Sequence, residues 1–420
     1  MSLITQTIFP SFYDGSVQLP GSKSYWQRAL AIASLSDIPS VFLNPLPHSG
    51  DVKSMLGIIQ QVGTHTVVSH NKLTVVPSSQ TFQRLHLDCG ESGLAARMFS
   101  VISPHFSHEV LITGQGSLLD RPFDMVIDAL QKLGLKVKSN EGKLALQLLG
   151  SISNTRLYID ASLSSQLLTG LLISLPKIEN DSEIFVHNLK SKPYIDMSIE
   201  LLAKFGVQLS HHNYTQFYIP GKQTPRATSP LEIEADWSSA AFHCVAAAIA
   251  GKVELYGLNP SSQQADKKIL EALQLCGANF YWNNQQLIVN KNNLKAFDID
   301  LTHAPDLFPA LAVLAACCNG PSKLHGVDRL IHKESNRALS IQSEWSKLGI
   351  KTEIQNNNLI IYPSKLRSVS VDSHNDHRIA MALSVLSLVS DGPITISNSH
   401  CVEKSYPDFF THFYACCKND

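Results

Sequence analysis

The pattern of apolar and polar positions repeats six times along the chain, at intervals of about seventy residues. In each repeat a short polar segment precedes a run of small and apolar residues, and a strand-like segment follows. The six polar segments are GSKSYWQR (21–28), CGESGLAAR (89–97), DASLSSQ (160–166), ADWSSAA (235–241), HAPDLFP (303–309) and HNDHR (374–378). A period this regular indicates one supersecondary unit that is used repeatedly.

A glycine ends a helical pattern in five of the repeats, at Gly63, Gly134, Gly206, Gly277 and Gly349. These positions are 71, 72, 71 and 72 residues apart. Glycine is favoured just after a helix because the residue there commonly adopts a left-handed backbone conformation. The spacing therefore predicts five equivalent helices that end just before these glycines.

The second repeat shows the order of elements most clearly. Its polar segment leads into an apolar run, a strand pattern at 109–114, a helical pattern at 124–133 and two short strands around a turn at 140–142. The apolar positions in 124–133 recur at the spacing of one helix face. Each repeat is thus predicted to be helix–strand–helix–strand–strand, with the polar segment at the N-terminus of its first helix.

The sixth repeat lacks its last strands, whereas the N-terminal segments 4–9 and 16–20 have extended patterns that supply them. We therefore predict an α/β fold with two lobes of three repeats each. Residues 20–233 form the N-terminal lobe, and residues 1–19 with 234–420 form the C-terminal lobe. The Pro-, Thr- and Ser-rich segment 221–230 is the expected connection, and the cleft between lobes is the expected binding site.

Charge and composition exclude several classes of function. Lys and Arg number 34 and Asp and Glu 35, so no overall basic field attracts a nucleic acid. No signal-peptide pattern is present, and the longest apolar run, 309–318, is shorter than the about 20 residues of a membrane helix. Eight cysteines without a C-x-x-C spacing are expected to be free thiols. We expect a cytoplasmic protein that binds neither nucleic acid nor membrane.

The polar segments also carry cations. Capping of helix N-termini explains polar residues such as those of 235–241, but it requires no Lys or Arg. The cations in or near the segments are Lys23, Arg28, Arg97, Arg121, Lys333, Arg337, Arg378 and Lys404. At the start of a helix, Lys23 and Arg28 would favour an anion, although a solvated basic turn explains this one segment nearly as well.

Eight segments resemble, in order, the signatures of the EPSP synthases (3-phosphoshikimate 1-carboxyvinyltransferases). They are LPGSKSYWQRA (19–29), LLDRPF (118–123), SSQLLTGLL (164–172), SKPYIDMS (191–198), HAPDLFP (303–309), HKESNR (332–337), NDHRIAMA (375–382) and EKSYPDFF (403–410). The resemblance implies two inside-out α/β barrels with the active site in the interlobe cleft. It also implies a monomeric, cofactor-independent transferase of the shikimate pathway to chorismate and the aromatic amino acids.

The reaction implied by the resemblance transfers the enolpyruvyl group of phosphoenolpyruvate to the 5-hydroxyl of shikimate 3-phosphate by addition–elimination. Shikimate 3-phosphate is expected on Lys23, Ser24, Arg28, Ser164, Ser165, Gln166, Ser191, Tyr194, Asp306 and Lys333. Phosphoenolpyruvate is expected on Lys23, Gly93, Arg121, Gln166, Arg337, His377, Arg378 and Lys404. The implied catalytic groups are Asp306, Glu334 and Lys23. Lys and Arg suit this task because each substrate carries a phosphate and a carboxylate.

Several alternatives stay open at the level of sequence. Asp306 could cap a helix, Lys333 and Glu334 could be a solvated pair, and His374 with His377 has a zinc-like H-x-x-H spacing but no third ligand, so no metal is predicted. The rival functions are a UDP-N-acetylglucosamine enolpyruvyltransferase and a non-catalytic or RNA-end-processing protein on a similar repeat fold.

The second polar segment departs from the family pattern. The family usually has Gly-Asn-(Ala or Ser)-Gly-Thr, whereas this chain has Gly90-Glu91-Ser92-Gly93-Leu94. Glu91 adds a negative charge and Leu94 removes a hydroxyl beside the expected phosphoenolpyruvate site. Affinity for this substrate, and for inhibitors that mimic it, is where we expect the chain to differ from its family.

Overall fold

The computed structural model describes residues 4–44, 47–69 and 71–418 of the chain. Within these ranges there are twelve α-helices. They are α1 (Lys23–Ser34), α2 (Gly50–Gln61), α3 (Gly93–Ile102), α4 (Asp124–Lys132), α5 (Gln166–Ser174), α6 (Pro193–Lys204), α7 (Trp237–Ala250), α8 (Ile269–Leu275), α9 (Phe308–Ala316), α10 (Arg337–Lys347), α11 (His377–Ser387) and α12 (Phe409–Cys416). No helix of these ranges is both long and apolar enough to span a membrane.

The same ranges contain 24 strands, which form six sheets. The first twelve are β1 (Gln6–Ile8), β2 (Phe12–Gln18), β3 (Ser40–Leu43), β4 (His65–Ser69), β5 (Lys72–Val76), β6 (Leu85–Asp88), β7 (Glu109–Thr113), β8 (Lys136–Asn140), β9 (Lys143–Leu149), β10 (Arg156–Asp160), β11 (Ser182–His187) and β12 (Ser210–His212). The others are β13 (Gln216–Ile219), β14 (Leu231–Glu232), β15 (Gly251–Tyr256), β16 (Asn279–Asn283), β17 (Gln286–Asn290), β18 (Asp298–Asp300), β19 (Ser322–His325), β20 (Thr352–Gln355), β21 (Asn358–Ile361), β22 (Ser370–Asp372), β23 (Ile394–Ser397) and β24 (Cys417–Lys418).

The predicted order of elements is confirmed in the second repeat, which runs α3, β7, α4, β8 and β9. The five predicted helix ends are also confirmed. Helices α2, α4, α6, α8 and α10 each end two residues before one of the predicted glycines, and these glycines have φ between 74° and 98°. Such a φ is strained for a residue with a Cβ, so glycine ends each helix at little energetic cost.

Four of the six sheets share one topology. In the sheet ordered β6-β7-β9-β8, the first pair is parallel and the other two pairs are antiparallel. The sheets β14-β3-β5-β4, β10-β11-β13-β12 and β18-β19-β21-β20 have the same arrangement. Residues along β9 alternate between buried and half-buried, as expected for a strand that packs one face on the core.

The two N-terminal strands pair with different sheets. β1 lies antiparallel to β23 of the last repeat, as predicted for segment 4–9. The prediction for segment 16–20 is wrong, because β2 lies parallel to β15 of the fourth repeat, from Tyr13 opposite Gly251 to Gln18 opposite Tyr256. β14, the strand that leads into α7, lies instead parallel to β3. The strands that lead into α1 and α7 are thus exchanged between the first and fourth repeats.

The described chain divides into two compact units. Gly21–Ile233 form one unit, called the N-unit below. The residues up to Pro20 and those from Glu234 onward form the other, called the C-unit. Segment 221–230 lies inside the N-unit, next to β14.

Each unit is built around three buried helices. In the N-unit, α3 packs against α1 and α5, and in the C-unit α7, α9 and α11 pack against one another. All residues of α3, α9 and α11 are buried, as expected for helices that are apolar on every side. A Cβ at Gly170 would lie 2.9 Å from Met98 Cα, so the close approach of α5 to α3 depends on this glycine.

The buried His243 and the half-buried His105 are held in their neutral form. His243 on α7 has the Tyr13 hydroxyl 2.6 Å from Nδ1 and the Tyr406 hydroxyl 3.0 Å from Nε2. Burial lowers the pKa of His243 to about 3. His105 bonds through Nε2 to the carbonyl oxygen of Ser174 at 3.0 Å, and burial lowers its pKa to about 4. A neutral imidazole offers one donor and one acceptor, which suits the two hydroxyls around His243.

These histidines predict a loss of stability in mild acid. An unfolded chain binds a proton at each histidine below about pH 6.5, whereas the folded chain binds it only near pH 3 to 4. The contribution of these histidines to the free energy of unfolding is therefore fully present above about pH 6.5. It falls as the pH is lowered, by up to about 1.4 kcal/mol per pH unit for each histidine. Urea unfolding of the protein from pH 4 to 8 should show this slope.

His243→Gln should reduce the slope, because glutamine takes up no proton on unfolding. His65→Gln, at an exposed position of β4, is the matched control and should leave the slope unchanged. A His243→Gln protein with the slope of the unaltered chain would show that His243 is not held neutral by the fold.

Candidate active site

In the N-unit, the three central helices begin within the polar segments. α1 begins at Lys23, α3 at Gly93 and α5 at Gln166. A helix N-terminus has free backbone N–H groups and a partial positive charge, and therefore favours anions. Ser24 is the second residue of α1, and Ser165 is the N-cap residue of α5.

Gln27 connects the first two polar segments of the N-unit. Its Nε2 donates to Ser92 Oγ at 2.6 Å and to the carbonyl oxygen of Asp51 at 3.1 Å. The side chain of Asp51 in turn binds Lys23, with Lys23 Nζ 2.9 Å from Asp51 Oδ2. The Lys23 side chain is 16% exposed and the Asp51 side chain is 9% exposed. Lys23 is therefore part of a largely buried ion pair, not of the solvated basic turn that the sequence left open.

Arg28 is a buried cation with neutral partners. Its Nε donates to Ser198 Oγ at 2.9 Å, and its Nη1 and Nη2 donate to the carbonyl oxygens of Ser24 and Tyr194 at 3.0 and 3.2 Å. Burial lowers the pKa of Arg28 to about 10, so it remains charged at neutral pH. Because no carboxylate among the described residues pairs with Arg28, its charge remains available to attract an anion by electrostatics.

Arg97 and Arg121 lie together against Gly93. A Cβ at Gly93 would lie 2.9 Å from Arg97 Nη1 and 3.0 Å from Arg121 Nη1, so a side chain here would displace these guanidinium groups. Arg97 Nη1 also donates to Gln166 Oε1 at 3.1 Å. Burial, and then repulsion from Arg121, lower the pKa of Arg97 to about 9. An anion bound beside these two guanidinium groups would relieve their repulsion.

The remaining predicted ligands of the N-unit lie at the starts of α5 and α6. Ser164 Oγ accepts from the backbone N–H of Gln166 at 3.1 Å. Ser191 is 5% exposed and has a φ of 57°, which is uncommon for serine. Its carbonyl oxygen accepts from the Tyr194 N–H at 3.1 Å, and the Tyr194 ring centroid lies 5.8 Å from Arg28 Cζ.

In the C-unit, three predicted cations meet at Asp306, which lies in the short 3₁₀ turn Pro305–Leu307 before α9. Asp306 Oδ1 accepts from Lys333 Nζ at 3.2 Å and from Arg337 Nη1 at 2.7 Å. Its Oδ2 accepts from Arg378 Nη2 at 3.1 Å. Asp306 is therefore not the helix cap that the sequence left possible, but the centre of a charge cluster.

Arg337 is fully buried and binds three carboxylates. Besides Asp306, Glu334 Oε2 accepts from Nη2 at 2.5 Å, and Asp376 Oδ2 accepts from Nε at 2.8 Å. The Glu334 side chain is 12% exposed and pairs with Arg337, which rules out the solvated pair with Lys333. Asp376 Oδ1 also accepts from the backbone N–H of Arg378 at 3.0 Å and so caps α11.

The charges of this cluster shift the pKa values of its members. Burial alone would raise the pKa of Asp306, but Arg378, Lys333 and Arg337 together hold it well below its ordinary value. Burial lowers the pKa of Lys333, and Asp306 partly opposes that shift. The three carboxylates raise the pKa of Arg337 above its ordinary value although burial opposes them. Asp306 is thus firmly ionised in this arrangement.

A second buried carboxylate, Asp266, lies near the cluster. Ser238 on α7 donates to Asp266 Oδ2, and Arg378 Nη2 donates to Ser238 Oγ at 3.4 Å. Burial, and then repulsion from Asp306, raise the pKa of Asp266. Asp266 can therefore hold a proton under conditions in which Asp306 cannot.

His377 and Lys404 are the other two predicted ligands of the C-unit. His377 is the first residue of α11, is 1% exposed, and has Nδ1 3.9 Å from Asp376 Oδ1. Lys404 ends the 3₁₀ turn Ser399–Lys404 and is half-buried. His374, the partner of the H-x-x-H spacing, donates from Nε2 to Glu344 Oε1 at 2.8 Å. Across residues 4–44, 47–69 and 71–418, no group of three or more His, Cys, Asp or Glu could hold a metal ion.

Sequence reasoning missed three charged residues that organise these clusters, namely Asp51, Asp266 and Asp376. It included Arg97 among the cations of the polar segments, but not as a contact of Gly93 and Gln166. Asp376 carried a usable signal, because it precedes His377 in the polar segment and aspartate is favoured as a helix N-cap. Asp51 and Asp266 are distant in sequence from Lys23 and Arg378, and only the fold brings them together.

The unusual residues of the second polar segment have defined places. Leu94 is 8% exposed and packs in the core of the N-unit. Glu91 lies over Gly116, where an added Cβ would be 2.5 Å from Glu91 Oε1. Gly116 opens the turn Gly116–Asp120 that leads to Arg121. The side chain of Glu91 therefore packs against the loop that carries one of the predicted ligands.

The chain is similar to known proteins over nearly its whole length. Residues 10–413 match the family model described as EPSP synthase (3-phosphoshikimate 1-carboxyvinyltransferase). A protein from Clostridium novyi named 3-phosphoshikimate 1-carboxyvinyltransferase is 34% identical to this chain, over 97% of this chain and 96% of its own length. A protein of the same name from Clostridium acetobutylicum is 35% identical, over 96% of this chain and 95% of its own length.

Solved structures share the fold. An EPSP synthase structure from Acinetobacter baumannii has a TM-score of 0.78 at 22% identity and covers 98% of both chains. The enolpyruvyl transferase NikO from Streptomyces tendae has a TM-score of 0.75 at 16% identity, with 99% of this chain and 97% of that chain covered. The mixed α/β fold predicted from the sequence is thereby confirmed. From its match to the family model and its relatives, this chain belongs to the EPSP synthase family, the 3-phosphoshikimate 1-carboxyvinyltransferases.

Proposed function

We propose that the two charge clusters described above carry out the transferase reaction of the family. The chain transfers the enolpyruvyl group of phosphoenolpyruvate to the 5-hydroxyl of shikimate 3-phosphate and releases phosphate, a step in aromatic amino acid biosynthesis. The observation that best supports the site is the convergence of Lys333, Arg337 and Arg378 on Asp306. A scaffold built only from capped helices has no need for such a cluster.

The N-unit is proposed to supply most ligands of shikimate 3-phosphate. Ser164 and Ser165 at the start of α5, with Ser191, offer hydroxyl and backbone N–H donors to its phosphate, which helix N-termini favour. Ser24, Arg28, Gln166 and Tyr194 would hold the rest of the molecule. Asp306 and Lys333 are proposed to complete this set.

Phosphoenolpyruvate is proposed to bind Arg121, Gly93, Lys23 and Gln166 of the N-unit. From the C-unit, Arg337, His377, Arg378 and Lys404 are proposed to bind the same substrate. Arg337 is fully buried and pairs with three carboxylates, and an incoming anion is proposed to compete with them for the guanidinium. Such an exchange would have a chemical use at Asp306, because the loss of a cation partner would raise its lowered pKa and so make it a better proton acceptor.

The reaction moves protons at two places. Addition removes a proton from the 5-hydroxyl and delivers one to the methylene carbon of phosphoenolpyruvate; elimination removes a proton from the resulting methyl group as phosphate leaves. We assign these proton transfers to Asp306 and Glu334, with Lys23 as a further group that transfers a proton or stabilises charge. Arg378, Lys333 and Arg337 hold the pKa of Asp306 well below its ordinary value, so Asp306 is ionised before an anionic substrate binds.

The rival functions are less well supported. The relatives at 33–35% identity are named for shikimate 3-phosphate and not for a nucleotide sugar, and both carboxylates needed for catalysis are present in the C-unit. We further propose that the enzyme is monomeric and cytoplasmic and acts without a cofactor, a metal or a nucleic acid partner. The two lobes are proposed to comprise residues 20–233 and residues 1–19 with 234–420.

The activity itself is tested with purified protein and both substrates. Phosphoenolpyruvate and shikimate 3-phosphate together should release inorganic phosphate in the presence of EDTA, because no metal takes part. Each substrate alone is the control. Phosphate release with UDP-N-acetylglucosamine in place of shikimate 3-phosphate, and none with shikimate 3-phosphate, would contradict the proposal.

Glu334→Gln tests the proton role of Glu334. Glutamine can still accept a hydrogen bond from Arg337 but carries no transferable proton of the right acidity, so kcat should fall about 10²–10⁴-fold with little change in KM. Asp328→Asn, at an exposed position of the same unit, is the matched control. Turnover of Glu334→Gln close to that of the control would leave Glu334 with a structural role only.

Ser164→Ala tests the division of substrates between residues. Loss of the hydroxyl should raise KM for shikimate 3-phosphate by about tenfold, which corresponds to one hydrogen bond to a charged group, and change KM for phosphoenolpyruvate much less. Ser151→Ala, at an exposed position, controls for the substitution. A larger change in KM for phosphoenolpyruvate would place Ser164 on the other substrate.

A further inference from the structure

Four polar side chains, three of them buried and His412 half-buried, form a hydrogen-bonded line in the C-unit, outside the charge cluster. The Tyr13 hydroxyl lies 2.6 Å from His243 Nδ1, and His243 Nε2 lies 3.0 Å from the Tyr406 hydroxyl. The same hydroxyl lies 2.7 Å from His412 Nδ1. Tyr13 and Tyr406 are fully buried and His243 is 1% exposed. Buried polar groups bonded this completely fix one arrangement of the elements that carry them.

The line joins four parts of the fold. Tyr13 lies on β2, His243 on α7, Tyr406 in the segment between the 399–404 turn and α12, and His412 on α12. Tyr406 also packs its ring on Phe409, with the centroids 5.7 Å apart. The Tyr406 hydroxyl thus ties this connecting segment to α7.

Tyr406 is coupled directly to the turn that ends at Lys404. Its backbone N–H donates to the carbonyl oxygen of Val402 at 2.8 Å, and the Ser405 N–H donates to the same oxygen at 3.1 Å. The position of Lys404 therefore depends on where Tyr406 is held. At the start of α7, Ser238 accepts from Arg378 Nη2 at 3.4 Å, so one helix contacts both Tyr406 and Arg378.

We propose that Tyr406, through His243, is a positioning residue that holds Lys404 at a fixed place relative to Arg378 for binding of phosphoenolpyruvate. This inference rests on the proposed function, which assigns Lys404 and Arg378 to that substrate. Two cations that bind one anion must keep their spacing. A flexible lysine side chain also loses conformational entropy when it binds, and this loss weakens binding unless the lysine is already held in place. The hydroxyl of Tyr406 supplies that order without contacting the substrate.

Tyr406→Phe tests the proposal, since it removes the hydroxyl and keeps the ring. KM for phosphoenolpyruvate should rise about tenfold, of the order expected for one buried hydrogen bond, while KM for shikimate 3-phosphate stays within about twofold. Tyr13→Phe is the matched control, because it removes the other hydroxyl that is hydrogen-bonded to His243. Tyr13 lies on β2 and not next to the turn that ends at Lys404. It should lower the melting temperature to a similar extent and leave both KM values unchanged.

A double-mutant cycle with Lys404→Met separates positioning from other effects. If Tyr406 acts through Lys404, the increase in KM for phosphoenolpyruvate in the double variant should equal that of Lys404→Met alone. Additive effects of the two substitutions would overturn the proposal. So would a Tyr406→Phe protein that loses thermal stability as Tyr13→Phe does but keeps the KM of the unaltered chain.

The same cycle distinguishes failure of this inference from failure of the proposed function. If Lys404→Met leaves KM for phosphoenolpyruvate unchanged, the assignment of Lys404 to that substrate is wrong, and the positioning role falls with it. If Lys404→Met raises this KM and Tyr406→Phe does not, only the positioning role is wrong.

Discussion

The C-unit cluster depends on the charge balance of one buried guanidinium, that of Arg337. An ion removed from water loses hydration energy that only close partners of opposite charge can replace. Asp306, Glu334 and Asp376 do so from three different places in the chain: the turn before α9, the segment before α10 and the cap of α11. Removal of one partner leaves a buried charge incompletely compensated, so the starts of these helices and the proposed acid–base groups are held in place together.

The two units solve the problem of binding anions differently. In the N-unit, Arg28 and Arg97 donate to neutral oxygens of the described residues, so their charges are ready for a ligand. In the C-unit, Arg337 and Arg378 are paired with carboxylates. An anion that reaches them competes with those carboxylates, and the competition alters the proton affinity of the groups proposed to do the chemistry. Under the proposed function, binding of the anion and activation of the catalytic carboxylates would therefore be coupled.

Much of the fold and part of the site could be predicted from the sequence, because both follow local rules. The glycines at intervals of 71 or 72 residues marked helix ends, and the polar segments marked helix starts, since each depends on a few neighbouring residues. The pairing of β2 could not be predicted this way, because an extended pattern carries no information about which sheet accepts the strand. Asp51 and Asp266 were missed for a similar reason: each acts through a partner distant in sequence.

The exchange of β2 and β14 has a consequence for how the chain is made. Synthesis runs from the N-terminus, so β2 leaves the ribosome long before its neighbour β15, and Gln6 of β1 long before its partner Ile396. All strands of the N-unit, by contrast, are present once β14 has emerged. The N-unit can therefore fold during translation, while β1 and β2 wait as unpaired edges until their partners arrive. β1 and β2 are thus the strands most exposed to mispairing, for as long as it takes to translate the chain from β2 to β15 and from β1 to β23.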